Sequence, residues 1–291
     1  MARIGCFIEL ENLTHAPQLY ALVKFHHAAM EQGHTFEFLF KDDIDYVPEY
    51  DAIFIRATTD PRNPTYVVSR LAELHGLRVI DDSRSITVCC NKAHLYMLMK
   101  KHKIPFPETY FLLKDEITEK MAGELFAKLG KPVVLKAPTT NFSKHVEKVN
   151  DVNKFLKVAR RYFRRSDIIV AQEYVESNYD WRVGILNGHV IFGAKYHMVN
   201  GYWKIRKTVG GKIFWGNIEA VDVHQIPEKI KRVAIKAANV VGKGLYGVDL
   251  KVKNGNIFVI EVNDNPSIDA GYEDVANPEI YSKIINYLTA R

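Results

Sequence analysis

Over roughly the first ninety residues, short apolar runs alternate with longer segments whose apolar positions recur every three or four residues. The runs at residues 3–10, 35–40, 51–56 and 77–80 predict strands, and the segments 17–32 and 66–75, ended by Gly33 and Gly76, predict helices. Strand and helix in alternation favour a mostly parallel sheet with helices on its faces. No Gly-x-Gly-x-x-Gly follows the first strand, so a dinucleotide fingerprint is absent.

A second rhythm begins near Asp81-Asp82-Ser83. Asn91 is placed to cap a helix over residues 92–103, whose apolar face carries Ala93, Tyr96 and Met99 and which Pro105 and Pro107 terminate. Residues 131–138 read as a buried strand, 154–165 as an amphipathic helix with a cationic face, and 167–176 as another strand. Residues 180–194 predict a hairpin turning on Asn187-Gly188, and 227–242 a helix. Then come two strands, 246–252 and 257–262, around Asn254-Gly255.

Three polar residues interrupt that last strand pair: Asp249, Glu261 and Asn263. A carboxylate in an apolar strand is costly to desolvate unless a cation or donor meets it. Glu261 and Asn263 lie two apart and therefore on one face. A three-residue loop sets Asp249 opposite Glu261, whereas a two-residue loop sets it opposite Ile260 and demands a bulge or twist. Two carboxylates and a carboxamide oxygen form a hard, all-oxygen donor set suited to Mg²⁺, which keeps waters and shares its shell with substrate phosphates.

Composition narrows the setting. The chain has 291 residues, 47% of them apolar and 25% charged, enough for two or three cores. It shows no signal-peptide pattern at its start and no apolar run of membrane-spanning length, so a cytoplasmic protein without a membrane partner is expected. Three cysteines, two of them adjacent, make no disulfide framework and are expected as buried thiols. The net charge of +6 fits an anionic ligand or a nucleic acid. Two lysines bear on that choice. Lys92 falls in a helix first turn, where a cation is unfavourable without an anion beside it, which hints at a phosphate. Lys136 ends a buried strand, where a lysine ordinarily snorkels to solvent.

Taken in order, Asn91-Lys92, Val134-Leu135-Lys136, Gln172-Glu173-Tyr174-Val175-Glu176, Asp180-Trp181-Arg182, Gly247-Val248-Asp249-Leu250 and Glu261-Val262-Asn263-Asp264-Asn265-Pro266 resemble the ATP-grasp ligases, most of all their RimK-type and glutathione-synthetase-like branch. The resemblance covers about residues 85–290. It implies an α/β (α+β) chain in which an N-terminal parallel α/β domain, 1–90, precedes an ATP-grasp domain, 91–291, with 105–180 as a smaller lid and 181–291 carrying the metal-binding strands.

The resemblance further implies that Lys92 and Lys136 contact ATP phosphates. Glu173 to Val175 would form the hinge along the adenine, with Gln172 also in the cofactor site, Glu176 or Asp180 would take the ribose, and Asp249, Glu261 and Asn263 would hold Mg²⁺, with Mn²⁺ as an alternative. Arg182, and more loosely Arg206, would face the acyl phosphate. The implied reaction is ATP-dependent joining of a carboxylate to an amine acceptor through an acyl phosphate. The carboxylate would belong to an amino acid, an acidic peptide or a polypeptide. One departure is the loop after Lys136, glycine-rich in this family but here without glycine from Pro138 to His145, where Ser143 and Lys144 would contact phosphate instead. That departure sustains an alternative, an ATP-grasp phosphotransferase or a non-ligating ATP-binding protein. A nucleic-acid-binding reading built on the basic helix offers no reason for the acidic strand pair. A homo-oligomer is left open.

Overall fold

A computed structural model describes residues 1–139 and 145–290. The chain opens with β1 (Arg3–Phe7), α1 (Leu10–Thr14), α2 (Ala16–Glu31), β2 (Thr35–Leu39), β3 (Ala52–Ile55), α3 (Pro64–Leu74), β4 (Arg78–Ile80), α4 (Ser83–Cys89) and α5 (Lys92–Lys101). It continues with β5 (Thr109–Leu113), α6 (Glu119–Leu129), β6 (Val133–Lys136), β7 (Val146–Val149), α7 (Val152–Tyr162) and β8 (Ile168–Glu173). The remainder comprises β9 (Tyr179–Leu186), β10 (His189–His197), β11 (Arg206–Val209), β12 (Lys212–Trp215), β13 (Ile218–Val221), α8 (Glu228–Val241), β14 (Leu245–Lys253), β15 (Asn256–Asn263) and α9 (Ile280–Thr289).

The first strands form a parallel sheet ordered β2-β1-β3-β4, as the alternation predicts. Two antiparallel sheets follow, β5-β8-β6-β7 and β13-β10-β9-β14-β15, with β11 and β12 as a separate ribbon. The first sheet shares a core with α2 and with α9, whose Tyr281 ring stands edge-on to Phe25 at 4.8 Å. The largest core joins α5 and α8 to the central strands β9, β14 and β15. A third, under α6 and α7, belongs to the second sheet. Helix α7 buries Phe155, Leu156, Val158, Ala159 and Tyr162 and leaves Lys154, Lys157 and Arg160 exposed, so its cationic face is the outer side of a packing helix. All three cysteines are buried and free. Among the described residues no helix is long and apolar enough to cross a membrane.

Several expected boundaries move. The first strand stops at Phe7, because Asn12 accepts from the Glu9 amide and starts α1 there. Asp82 caps α4, a helix too short for the apolar spacing to predict, by accepting from the Ser85 amide at 2.9 Å. Strands β11 and β12 pair as a basic hairpin with Gly210-Gly211 at its tip.

The turn between β14 and β15 settles the register. Lys253 pairs with Asn256, so the loop is the two residues Asn254-Gly255, both at positive φ (52° and 77°) as a type I′ turn requires. A bulge at Ile260 then restores Asp249 to a place opposite Glu261. The bulge is held in place: Ile260 O accepts from the Tyr96 hydroxyl of α5 at 2.7 Å.

After β15 the chain folds back over β14, and Gly247 permits this. A Cβ there would lie 2.7 Å from Pro266 Cβ. The Gly247→Ala substitution should therefore cost about 1–3 kcal/mol in urea unfolding. An unchanged unfolding midpoint would show that the Asn265-Pro266 segment yields freely.

Candidate active site

A cleft of about 400 Å³ runs between the sheets, and its floor is one face of β9, β14 and β15. Antiparallel pairing of β9 with β14 puts Arg182 beside Asp249 and Trp181 beside Leu250. Asp180, Arg182, Asp249 and Lys251 thus project into the cleft, while Trp181 and Leu250 are buried beneath. Glu261 and Asn263 extend the same row from β15.

Every charge in this row has met an opposite one. Arg182 grips Asp249 with two hydrogen bonds, Nε to Oδ1 at 2.7 Å and Nη2 to Oδ2 at 2.8 Å. Lys251 Nζ lies 2.6 Å from Asp180 Oδ1. Lys92 Nζ lies 2.8 Å from Glu261 Oε1. Asn263 donates through Nδ2 to Asp249 Oδ2 and to Gly247 O, both at 3.2 Å, which leaves its carbonyl oxygen outside these two bonds. Burial disfavours the charge on Glu261, but Lys92 outweighs it and holds the carboxyl below its ordinary value. Burial likewise opposes the charge on Arg182, and the Asp249 carboxylate overrides it.

Each lysine is placed by its element. Asn91 caps α5 by accepting from the Ala93 and His94 amides at 3.1 Å, and the Lys92 amide donates to Pro138 O at 2.9 Å, tying the helix start to the chain beyond β6. The anion that Lys92 meets is Glu261. Lys136 does not snorkel. Only 5% of it is exposed, its Nζ donates to the Tyr96 hydroxyl at 2.7 Å, and burial first, then the Lys92 charge, pushes it down to about 8.

Other expected residues divide. Glu173, the last residue of β8, and Tyr174 and Val175 just after it line the cleft. Gln172 also reaches it, but its carboxamide donates to Thr109 Oγ1 at 2.8 Å. Arg206 lines the cleft from the base of the β11–β12 hairpin, its guanidinium 5.3 Å from the Trp215 ring centre and its Nε without a hydrogen-bond partner among the described residues. Glu176 is exposed and away from the cleft, because β8 ends at Glu173 and the chain turns outward. Ser143 and Lys144 lie outside the described residues.

The sequence reading missed several lining residues. Lys251 could have been found: Asp180-Trp181-Arg182 laid antiparallel on Asp249-Leu250-Lys251 matches charge to opposite charge at both ends. Tyr196, whose ring centre is 4.6 Å from the Arg182 guanidinium, and Trp203, Arg56, Thr59 and Asp264 gave no local signal. Asp264 is pushed up to about 7 by burial.

The donor set fits a hard divalent cation. Asp249 and Glu261 stand opposite one another with Asn263 alongside, and each carboxylate is paired with a cation. Among the described residues no group of three or more His, Cys, Asp or Glu could hold a metal, so phosphates and water would have to complete its shell.

A family model described as the RimK-like ATP-grasp domain matches residues 89–288. A probable alpha-L-glutamate ligase of Legionella pneumophila is 25% identical over 244 residues, 83% of this chain and 77% of that protein. A D-alanine–D-alanine ligase of Bacillus anthracis, solved with ATP, superposes with a TM-score of 0.73 at 15% identity, covering 99% of this chain and 96% of the other. The ATP-grasp ligase PsnB, solved with a minimal precursor, Mg and ADP, superposes at 0.69 and 16% identity, covering 99% and 96%.

Burying the Lys136 charge has a measurable consequence. A fall from 10.5 to about 8 amounts to roughly 3 kcal/mol against the charged form. The folded pKa lies below the unfolded one, so between about pH 8 and 10.5 the unfolded chain binds the extra proton and stability rises with pH. Relative to the Lys136→Met variant, the wild type should therefore gain up to about 3 kcal/mol in urea unfolding between pH 7.5 and 10.5. A pH-independent gap would show that Lys136 keeps its ordinary pKa.

Proposed function

The chain belongs to the RimK-like ATP-grasp family, and from that premise we propose that it is an ATP-dependent carboxylate–amine ligase acting through an acyl phosphate. One observation supports this most: cations from three separate elements, Lys92, Lys136 and Arg182, converge on the cleft face that carries Asp249, Glu261 and Asn263. Such a site suits phosphoryl transfer, where positioning and charge neutralisation supply most of the rate.

In this reading residues 1–90 form the N-terminal domain and 91–291 the grasp, with 105–180 as its lid and 181–291 bearing the metal strands. Glu173, Tyr174 and Val175 line the adenine, with Gln172 bracing the strand, and Asp180, which lines the same cleft, takes the ribose. Lys92 and Lys136 hold the phosphates. Mg²⁺, or Mn²⁺ in its place, held by Asp249, Glu261 and Asn263, would neutralise charge on the transferred phosphoryl group. A carboxylate oxygen bonds to the γ-phosphorus as the β–γ bridge breaks and ADP leaves. The amine nitrogen then bonds to the acyl carbon, the carbon–oxygen bond to phosphate breaks, and the nitrogen loses a proton. Arg182, assisted by Arg206, faces the oxyanion of that second step. Glutamate, named in the Legionella relative, is the first amino acid to try, and the setting is cytoplasmic.

The test is Mg²⁺-dependent ADP release with pooled amino acids and short acidic peptides, with products weighed by mass spectrometry. A condensed product one water lighter than its parents is expected. Asp249→Ala and Glu261→Ala should each lower turnover by about 100-fold or more while keeping the wild-type circular dichroism. ADP without a condensed product would replace the ligase by a phosphotransferase, and full turnover in both variants would overturn the metal assignment.

A further inference from the structure

Arg182 has a second neighbour besides Asp249. Its guanidinium carbon lies 4.6 Å from the centre of the Tyr196 ring. Strand β10 pairs antiparallel with β9 so that Ala194 faces Arg182 and Tyr196 faces Asp180, which puts the Tyr196 ring on the cleft side, diagonal to Arg182. The Tyr196 hydroxyl donates in turn to Glu273 Oε1. Burial keeps the phenol protonated against the pull of the Arg182 charge, so the tyrosine is the donor.

Glu273 is fully buried and does not itself line the cleft. Among the described residues no lysine, arginine or histidine forms an ion pair with it, although a buried carboxylate without a cation is costly. Its Oε2 accepts from the Asp269 amide at 2.8 Å. The segment that bears it is anchored on three sides. Asp274 accepts from the Gly271 amide at 2.7 Å and from the Tyr281 hydroxyl of α9 at 3.0 Å, and it pairs with Lys24 of α2. Asn277 donates to Val221 O at 2.9 Å and accepts from the Val223 amide at 3.0 Å, beside the end of β13. Glu273 therefore has little freedom to retreat from Tyr196.

A carboxylate in that place makes sense once the cleft is loaded. Both hydrogen bonds from Arg182 to Asp249 occupy carboxylate oxygens that a divalent cation would claim. Burial opposes the Arg182 charge, and behind Asp249 the charges that favour it are those of Tyr196 and Glu273. An aromatic face attracts a guanidinium, and a hydroxyl bonded to a carboxylate makes that face richer in electrons.

We propose that Tyr196 and Glu273 are positioning residues for Arg182, holding its guanidinium at the reacting end of the cleft while Asp249 serves the metal. This rests on the ligase reading. Glu273 acts when ionised. Burial first, then the Asp269 charge, pushes it up to about 7, and the Tyr196 hydroxyl and the Asp269 amide oppose that rise. The charged and titratable groups around it are Tyr196 from β10, Arg182 from β9, Tyr281 from α9, and Asp269 and Asp274 from its own segment, with Lys24 of α2 answering Asp274. The ionised form fills as pH rises through about 7, and the hold on Arg182 strengthens with it.

The test compares the wild type with Glu273→Gln and Tyr196→Phe, which keep the shapes and remove the charge or the donor. In the condensation assay at pH 8.5, Glu273→Gln should lower kcat about 10-fold, with KM for ATP within about two-fold of wild type. The deficit should shrink to about two-fold at pH 6, where the wild-type carboxyl is itself protonated. Tyr196→Phe should lose a similar factor, and adding Glu273→Gln to it should cost at most about two-fold more. It also carries the test if Glu273→Gln does not fold. A second readout needs no turnover: solvent exchange of the Arg182 Nε–H in ¹⁵N-arginine-labelled protein at pH 7.5, assigned by the loss of its signal in Arg182→Lys. Adding Mg·ADP should leave that exchange slow in the wild type and quicken it about 10-fold in Glu273→Gln, which before the addition should match the wild type. Quickened exchange with no condensed product from any enzyme supports the positioning pair and sinks the ligase. A wild-type rate of condensation in Glu273→Gln, or a deficit equal at pH 6 and pH 8.5, overturns the assignment and leaves the ligase intact. Exchange that stays slow in Glu273→Gln with Mg·ADP bound overturns it outright.

Discussion

The rest of the site depends on charge matching across three adjacent strands. Asp180 with Lys251, Arg182 with Asp249 and Lys92 with Glu261 form three ion pairs in the cleft, five of the six groups on the strand face and Lys92 reaching it from α5. Removing one partner of such a pair leaves a partly buried charge uncompensated, which is why the row behaves as a unit. The same pairing fixes the register of β9 on β14, and the bulge at Ile260 brings β15 into line with both. Stability and chemistry thus draw on the same residues.

That arrangement also explains how a cluster of cations can wait for an anionic ligand without the cleft flying apart. In the structure the acids neutralise the lysines and the arginine. On the proposed reading, incoming phosphates take over as partners of Lys92, and the carboxylates turn to the metal. Lys136 is the exception: among the described residues no carboxylate forms an ion pair with it, its Nζ donates to the Tyr96 hydroxyl, and burial lowers its pKa although the Glu261 charge opposes that fall. A group held in so unfavourable a place is poised for a ligand that restores its charge.

Much of this was legible along the chain. The parallel sheet came from alternation, both Asn-Gly hairpins from their turn chemistry, and the acidic strand pair from the cost of putting Asp249 and Glu261 among apolar neighbours. What the sequence left open was non-local. Whether Asp249 met Glu261 depended on a bulge whose cause, the Tyr96 hydroxyl, lies some 160 residues away in sequence. Nothing near Lys136 in sequence reveals the roof that α5 provides, so its burial is not legible locally, and only the resemblance points it at a phosphate. Arg56 looked like the last residue of an ordinary strand, and only the return of the chain through Asn265 gives it a place in the cleft. Glu176, next in sequence to Val175, is exposed and does not line the cleft.

The most direct test of the ligase account follows an oxygen atom. With both oxygens of the substrate carboxylate labelled with ¹⁸O, an acyl phosphate requires that one of them leave with the phosphate when the amine attacks. The account predicts inorganic phosphate carrying one ¹⁸O for each amide bond formed. Unlabelled phosphate accompanying a condensed product would contradict it, because the carboxylate would then have been activated in some other way.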